Sequence, residues 1–214
     1  MGHLKKDMAF DIREIDVSKL PQISRGYEYD VYALNDELVL KISKGRHSQN
    51  SGQILSDLQG LPFIPKVYWW GDSGEYLVMQ RIKGIDIGFY MAGFSWFRVP
   101  YDYDTHKNMT LEFFNGCIER GWIPRDLHFA NVMIDKDGHC WIVDIGGFVK
   151  IDEVTIPSNK VKKMIPSYEV KRMLDYGKRI VNAYEKIDNM SNLLGLDKII
   201  EICSWHRRDL HDLV

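Results

Sequence analysis

A chain of 214 residues has room for one sizeable core or for two small lobes sharing a cleft, and too little for several independent domains. Hydrophobic residues make up 45% and charged residues 27%, a globular mixture that excludes a disordered tail, a collagenous rod and a coiled coil. With 28 Lys and Arg against 30 Asp and Glu, no global field attracts nucleic acid or a membrane surface, and any charge-guided partner must be met locally.

The three cysteines, Cys117, Cys140 and Cys203, stand far apart with no C-x-x-C spacing, so they read as reduced thiols. The N-terminal stretch MGHLKKDMAFDIREID lacks the apolar segment of a secretion signal, and no run approaches the roughly 18 apolar residues of a membrane span. A soluble, cytoplasmic chain without membrane insertion is expected. A signal read by a dedicated export machine would escape these rules.

From Val31 to Ile42 apolar and polar residues alternate on both sides of Asn35-Asp36, which predicts a hairpin. Ile54, Leu55 and Leu58 then share one helical face, and Gly60 stands where that helix would end. The segment KVYWWGDSGEYLVMQRI predicts two further strands about a Gly-Asp-Ser-Gly turn. Beyond Gly84 the texture changes: aromatics crowd residues 89–103, and Leu111, Phe114, Ile118 and Trp122 recur at helical spacing before Gly121. These rings are expected to fill a core rather than form a binding platform. NVMIDKDGHCWIVDI predicts a hairpin turning at Asp137-Gly138, and Ser167 is expected to cap a last helix whose apolar stripe is Val170, Met173, Leu174, Val181 and Tyr184.

The chemistry-bearing stretch is ERGWIPRDLHFANVMIDKDGHCWIVDIGG, in which Asn131 follows Asp126 by five positions and Asp144 follows Asn131 by 13. These spacings match the loop H-R-D-x-x-x-x-N and the element D-F-G, written here as PRDLHFAN and DIG. A carboxylate before a strand can orient an attacking hydroxyl. An Asn after it and an Asp at the far end of a hairpin can converge on a magnesium ion. Upstream, Lys41 sits among Val39, Leu40 and Ile42 on a predicted strand, preceded by ISRGYEYDVY, where Gly26 matches the middle glycine of G-x-G-x-x-G-x-V and Ser24 and Tyr29 take the outer places.

On these residues the chain resembles the protein kinase-like superfamily from Ser24 to about Tyr184. The resemblance implies an α+β, bilobal kinase-like fold in one domain, 1-214, with a small antiparallel-sheet N-lobe over about 1-82, a hinge at 80-84 and a truncated helical C-lobe over about 85-214. It implies ATP with Mg2+, or Mn2+, and phosphoryl transfer to a hydroxyl. Lys41 would contact the phosphates, Gly26 would let the loop cover them, Asn131 and Asp144 would hold the metal, and Asp126 would accept the hydroxyl proton. Met79 falls at the gatekeeper place, with the Gln80 carbonyl and the Ile82 N–H left for the adenine edge.

The chain departs from the family in ways that bear on its acceptor. The helix after Lys41 contains no Glu, so Asp57, Asp144 or no acid at all would hold the lysine. Pro124 replaces the usual His, and His128 stands where Ser/Thr protein kinases carry Lys, as in aminoglycoside, choline and lipopolysaccharide-core kinases. No A-P-E element follows Asp144, and the chain looks like a minimal, atypical kinase, similar in size to small bacterial kinases and to effector kinases delivered into host cells. Three readings result: a protein Ser/Thr kinase, a small-molecule or lipopolysaccharide phosphotransferase, and a pseudokinase binding module. The absence of spare length to enclose a small acceptor favours the first. Between Lys150 and Arg179 eight Lys and Arg face four Asp and Glu, either a solvated helix face or a docking surface for an acidic partner.

Overall fold

The computed structural model describes residues 3–4, 15–26, 28–45, 50–71, 74–92, 101–153 and 167–194. Phe94, Trp96, Phe97, Cys203 and the basic residues at 160, 162 and 163 lie outside them.

The first part is a twisted antiparallel sheet. Strand β1 (His3–Leu4) pairs with a later strand at the edge, and β2 (Gln22–Arg25), β3 (Tyr29–Ala33) and β4 (Leu38–Ser43) run consecutively. The β3–β4 turn forms at Asn35 as expected, because its side-chain oxygen accepts from the N–H groups of Glu37 and Leu38, each at 2.8 Å. Helix α1 (Ser51–Asp57) follows, burying Ile54, Leu55 and, just past its end, Leu58; Gly60 then turns the chain at φ +85°. Strands β5 (Val67–Trp70) and β6 (Tyr76–Gln80) complete the order β1-β5-β6-β4-β3-β2.

The period of two along β4 gives the sheet two buried faces. Val39 joins Leu77 and Met79 on the side of α1, whereas Leu40 and Val78 face the other way and are covered by Ile15, Val17, Leu20 and Tyr68. The N-terminal segment therefore closes the outer face of the sheet.

The chain leaves the sheet through residues 81–83, where the Arg81 N–H donates to the Glu37 carbonyl at 2.7 Å. Strand β7 (Gly84–Asp86) then pairs with a hairpin of the second part. Gly84 lies so close to that hairpin that a Cβ there would collide with the Ile134 carbonyl. Helix α2 (Ile87–Met91) is capped by Asp86, which accepts from the Phe89 N–H at 3.0 Å.

Helix α3 (Tyr103–Glu119) begins well before the apolar repeat that announces it, because the Asp102 carboxylate accepts from the N–H groups of Asp104 and Thr105. Its buried side also differs from the expected one. Thr110, Phe113, Phe114, Gly116 and Cys117 face inward, whereas Leu111 is 44% exposed. Leu61 packs directly on Gly116, so a residue without a side chain, invisible to an apolar count, sets the phase.

Strands β8 (Trp122–Ile123), β9 (Val132–Asp135), β10 (Cys140–Ile142) and β11 (Val149–Lys150) build two small sheets, β10-β9-β7 and β11-β8. The β9–β10 turn has Gly138 at φ +83° and is tied by Asp135 Oδ1, which accepts from the N–H groups of Asp137 and His139 at 2.9 Å each. Helix α4 (Ser167–Leu194) crosses behind. Ser167 is its first helical residue. Of the expected stripe, Met173 is fully buried, but the inner face continues through Tyr176, Gly177, Ile180 and Ala183, leaving Leu174 and Val181 half-buried. The reason lies across the contact: the His106 ring fills the space where Gly177 would carry a Cβ. One apolar cluster runs from Val39 and Met79 through Phe113 and Ile142 to Met173 and Ile180, joining both parts.

His106 sits in that cluster between α3 and α4. A carbonyl only accepts, so Nε2 carries the proton it gives to the Met173 carbonyl at 2.8 Å, and Nδ1 meets the Tyr101 hydroxyl. Burial holds the ring below its ordinary pKa of 6.5 and therefore neutral. The unfolded chain takes up a proton near that value and the fold does not, so this contribution to stability is complete above about pH 6.5 and is lost as pH falls below it. The melting temperature should drop between about pH 7 and pH 5, with a shallower slope in His106→Gln. An unchanged slope in the variant would assign the acid loss to carboxylates instead.

Candidate active site

The loop between β8 and β9 carries Asp126 in a left-handed conformation, φ +59°. For a residue with a side chain this costs on the order of 1–2 kcal/mol, so the surroundings must hold it. Glu169 of α4 accepts from the Asp126 N–H at 3.1 Å, and the Asn131 amide nitrogen donates to the Asp126 carbonyl at 2.9 Å. The next residue, Leu127, is fully buried, and its carbonyl accepts from the Tyr176 hydroxyl at 3.0 Å. With its backbone fastened from both sides, Asp126 presents a carboxylate whose side chain is 62% exposed.

Glu169 is one of the four acids of the basic stretch and belongs to no motif of the chain. It is 7% exposed and pairs with Arg172 at 3.0 Å, which in turn stacks on the Tyr168 ring. An acid one helical turn before the buried Met173, on the same face, is the signal that could have revealed it. Other members of the basic stretch are also engaged within the chain: Arg179 with Asp175 at 2.7 Å, Lys178 over Tyr103, and Lys150 over Trp122.

His128 Nδ1 accepts from the Ala130 N–H at 3.3 Å, which leaves the proton of the neutral ring on Nε2, 3.8 Å from an Asp126 oxygen. The hairpin brings Asn131 and Asp144 together as expected. Val132 pairs with Ile142, and the Val143 N–H donates to the Asn131 carbonyl at 2.9 Å. Asn131 uses its amide nitrogen on Asp126, which turns its side-chain oxygen the other way. Asp144 accepts from the Gly146 N–H through Oδ1 at 3.1 Å. A Cβ on Gly147 would stand 2.9 Å from the Asp126 Cβ, so the Asp-Ile-Gly element and the loop lie against each other. Hard oxygens of this kind suit Mg2+ or Mn2+.

Lys41, on β4, is 7% exposed. Its ammonium donates to the Val143 carbonyl at 3.1 Å and lies 4.2 Å from the centre of the Tyr29 ring. Burial lowers its pKa, while the carboxylates of Asp144 and Glu28 oppose that shift. Asp57, one of the partners expected for this lysine, is turned away from it: its oxygens accept from Gln53 at 2.6 Å and from the Trp122 indole at 3.1 Å. As the last residue of α1, Asp57 faces the second part of the molecule, and the carboxylates whose charge acts on Lys41 are those of Asp144 first and then Glu28.

Gly26 stands at the exposed tip of the tight β2–β3 hairpin, its N–H donating to the Tyr29 carbonyl at 2.8 Å. Tyr29, in an outer glycine place, points inward, and its hydroxyl donates to Ser51 of α1 at 2.9 Å. Met79 is 2% exposed on β6 opposite Val39. Gln80 pairs with Leu38, and its side chain accepts from the Lys66 N–H at 3.2 Å. Gln80 and Ile82 also line a cavity of about 360 Å³ shared with Lys66, Lys136 and Trp141; Lys41, Asp126, Asn131 and Asp144 are not among its walls. The chemistry-bearing residues meet along the seam between β4 and the hairpin.

Removing the Glu169 carboxylate leaves the Asp126 N–H unsatisfied and Arg172 unpaired, a loss of about 1–3 kcal/mol. In Glu169→Ala, hydrogen exchange over residues 124–131 should accelerate roughly 5- to 150-fold, as that loss implies, and Glu169→Gln, which keeps an acceptor, should show less. Equal protection in both variants and the parent would mean that the loop holds itself.

The model of the ABC1 atypical kinase-like domain matches residues 34–165, well over half of the chain. The chain is 24% identical over 121 residues to the cAMP-dependent protein kinase catalytic subunit PRKX of Mus musculus, covering 55% of this chain and 33% of that protein. It is 27% identical over 126 residues to protein kinase C eta type of Mus musculus, covering 56% of this chain and 18% of that protein. A putative ribosomal protein S6 kinase alpha-2 of Caenorhabditis elegans is 24% identical over 105 residues. The matched part spans no more than about a third of these curated relatives. Among the described residues no helix is long and apolar enough to cross a membrane. The family match contains Lys41 and the whole Asp126 to Gly146 stretch within an α+β architecture, and the chain belongs to the ABC1 atypical kinase-like domain family of the protein kinase-like superfamily.

Proposed function

We propose that residues 1–214 act as one kinase-like domain that transfers the γ-phosphoryl group of ATP to serine or threonine hydroxyls of a protein. The acceptor oxygen bonds to the γ-phosphorus, the bond to the β–γ bridging oxygen breaks, ADP leaves, and Asp126 takes the hydroxyl proton. Lys41 contacts the α- and β-phosphates, Gly26 lets the hairpin tip approach them, and Met79 with the backbone of Gln80 and Ile82 receives the adenine. Asn131 and Asp144 are the residues that would hold Mg2+, which supplies charge neutralisation at the phosphates. Positioning and electrostatics carry most of the rate enhancement.

The observation that carries this reading is the meeting of Asp126, Asn131 and Asp144 at one seam with Lys41, which donates to the Val143 carbonyl beside Asp144. The protein acceptor is supported by the names of the three relatives given above, each a kinase of proteins, and by the open setting of Asp126. A second reading, transfer to a small molecule, is favoured by His128, whose Nε2 faces Asp126 at 3.8 Å.

ATP should bind appreciably tighter with Mg2+ or Mn2+ than in EDTA, measured by calorimetry; equal affinities would favour a pseudokinase. Asp126→Ala should lower turnover by roughly 10²–10⁴-fold with ATP binding nearly intact, because its partner is the acceptor. Asp144→Ala should weaken metal-dependent ATP binding as well. Identical binding losses in the two variants would mean that one role is misassigned. Radiolabelled ATP given to a cell lysate, followed by separation of protein from small molecules, decides the acceptor: label confined to the small-molecule fraction would overturn the protein reading.

A further inference from the structure

Lys41 is nearly enclosed, and a buried ammonium is held at high cost unless something compensates its charge. Helix α1 offers no carboxylate for this: Gln53 is exposed and turned to Asp57, and Asp57 faces Trp122. Asp144 and Glu28 act on the lysine through space, and its direct partners among the described residues are the Val143 carbonyl at 3.1 Å and the Tyr29 ring, whose centre lies 4.2 Å from Nζ. That separation is well within the range of about 6 Å over which a ring face attracts a cation, and the attraction is strongest where water is excluded. Tyr29 is itself only 3% exposed.

The sheet register puts the ring there. Val31 stands opposite Lys41 and Tyr29 opposite Ser43, so Tyr29 is the diagonal neighbour of Lys41 on the same face, a span that an aromatic and a long side chain can bridge. The far end of the ring is tied as well: its hydroxyl donates to Ser51 Oγ at 2.9 Å, and Ser51 is buried at the start of α1. The ring is thus fastened at its root by β3 and at its tip by α1, with its face to the ammonium. In the frame G-x-G-x-x-G-x-V, Tyr29 takes an outer glycine's place, where glycine would leave the lysine without this partner. Two departures of the chain, the lost glycine and the helix without a glutamate, thereby answer each other.

We propose that Tyr29 is the positioning residue for Lys41, its ring face holding the ammonium where other members of the superfamily use a helix carboxylate. Its effect on catalysis rests on the kinase reading above; the contact itself does not. The Val143 carbonyl takes one N–H of the ammonium and the ring covers one side, which leaves the remaining N–H groups for phosphate oxygens. Unlike a carboxylate, the ring attracts the cation through its quadrupole and adds no net negative charge beside the phosphates.

The test varies the charge distribution of the ring at nearly constant size in the full chain. Tyr29→Phe comes first, followed by the same position carrying a trifluorinated and then a pentafluorinated phenylalanine, because added fluorine weakens the negative face. Without nucleotide and at fixed pH, acylation of Lys41 by an amine-reactive reagent is read by peptide mass spectrometry against exposed Lys171. The rate should stay within about twofold of the parent in Tyr29→Phe and then rise stepwise, by roughly several-fold at pentafluorination. The kcat/KM for ATP should fall along the same series by up to about thirtyfold, as a desolvated contact of this kind implies. A flat labelling series overturns the proposal, and faster labelling in Tyr29→Leu beside a flat series shows that the ring only fills space. A full rise already in Tyr29→Phe also overturns it and assigns the hold to the hydroxyl on Ser51. If labelling rises stepwise while kcat/KM stays constant, the ring does not position Lys41 for transfer and the proposal falls. If labelling rises stepwise but the parent neither binds nor turns over ATP, the contact stands and the kinase reading falls.

Discussion

The hydrogen bond from the Asp126 N–H to the buried carboxylate of Glu169 is the contact on which the site depends. A left-handed backbone at a residue with a side chain costs on the order of 1–2 kcal/mol, and a hydrogen bond to a charged acceptor contributes about 1.5–3 kcal/mol. The two are of the same size, so the bond can hold a conformation the loop would not choose alone. It works only because Glu169 is itself compensated by Arg172, since an unpaired buried carboxylate would take up a proton or turn outward. Helix α4, far along the chain, thus governs the direction of a side chain forty-three positions earlier.

From that anchor the remaining geometry follows in sequence. Asn131 fastens to the Asp126 carbonyl, the β9–β10 hairpin carries Val143 back to Asn131, and the Val143 carbonyl receives Lys41 from the first sheet. Each link is a single polar contact set within an apolar surround of Leu127, Val132 and Ile142, all fully buried. In such a setting polar bonds are strong and their absence is expensive, which favours one arrangement over many.

Much of this was legible in the chain. The spacing of Asp126, Asn131 and Asp144 needs only a hairpin to be meaningful, and hairpins declare themselves through turn residues such as Asn35 and Gly138 whose conformations are local. What stayed hidden depends on contacts distant in sequence. The phases of α3 and α4 are set by Gly116 and Gly177, where Leu61 and His106 press in, and a pattern of apolar residues cannot register a missing side chain. Glu169 and Glu28 look like ordinary surface acids until the fold shows what they face. Asp57 was a reasonable partner for Lys41 by residue type, but its position at the end of α1 points it elsewhere.

That position has a mechanical meaning. The end of α1 is moored to the second part of the molecule: Arg120 donates to the carbonyls of Asp57 and Gln59 at 3.1 and 2.9 Å, and the Trp122 indole holds the Asp57 side chain. At the other end Gly52 is pressed against the Trp70 ring. Swinging α1 outward would break three hydrogen bonds at about 0.5–1.5 kcal/mol each, more for those made by the guanidinium. With only seven helical residues, α1 also lacks the leverage of a longer rod. Here the helix behaves as a fixed strut that ties the first sheet to the turn that follows α3.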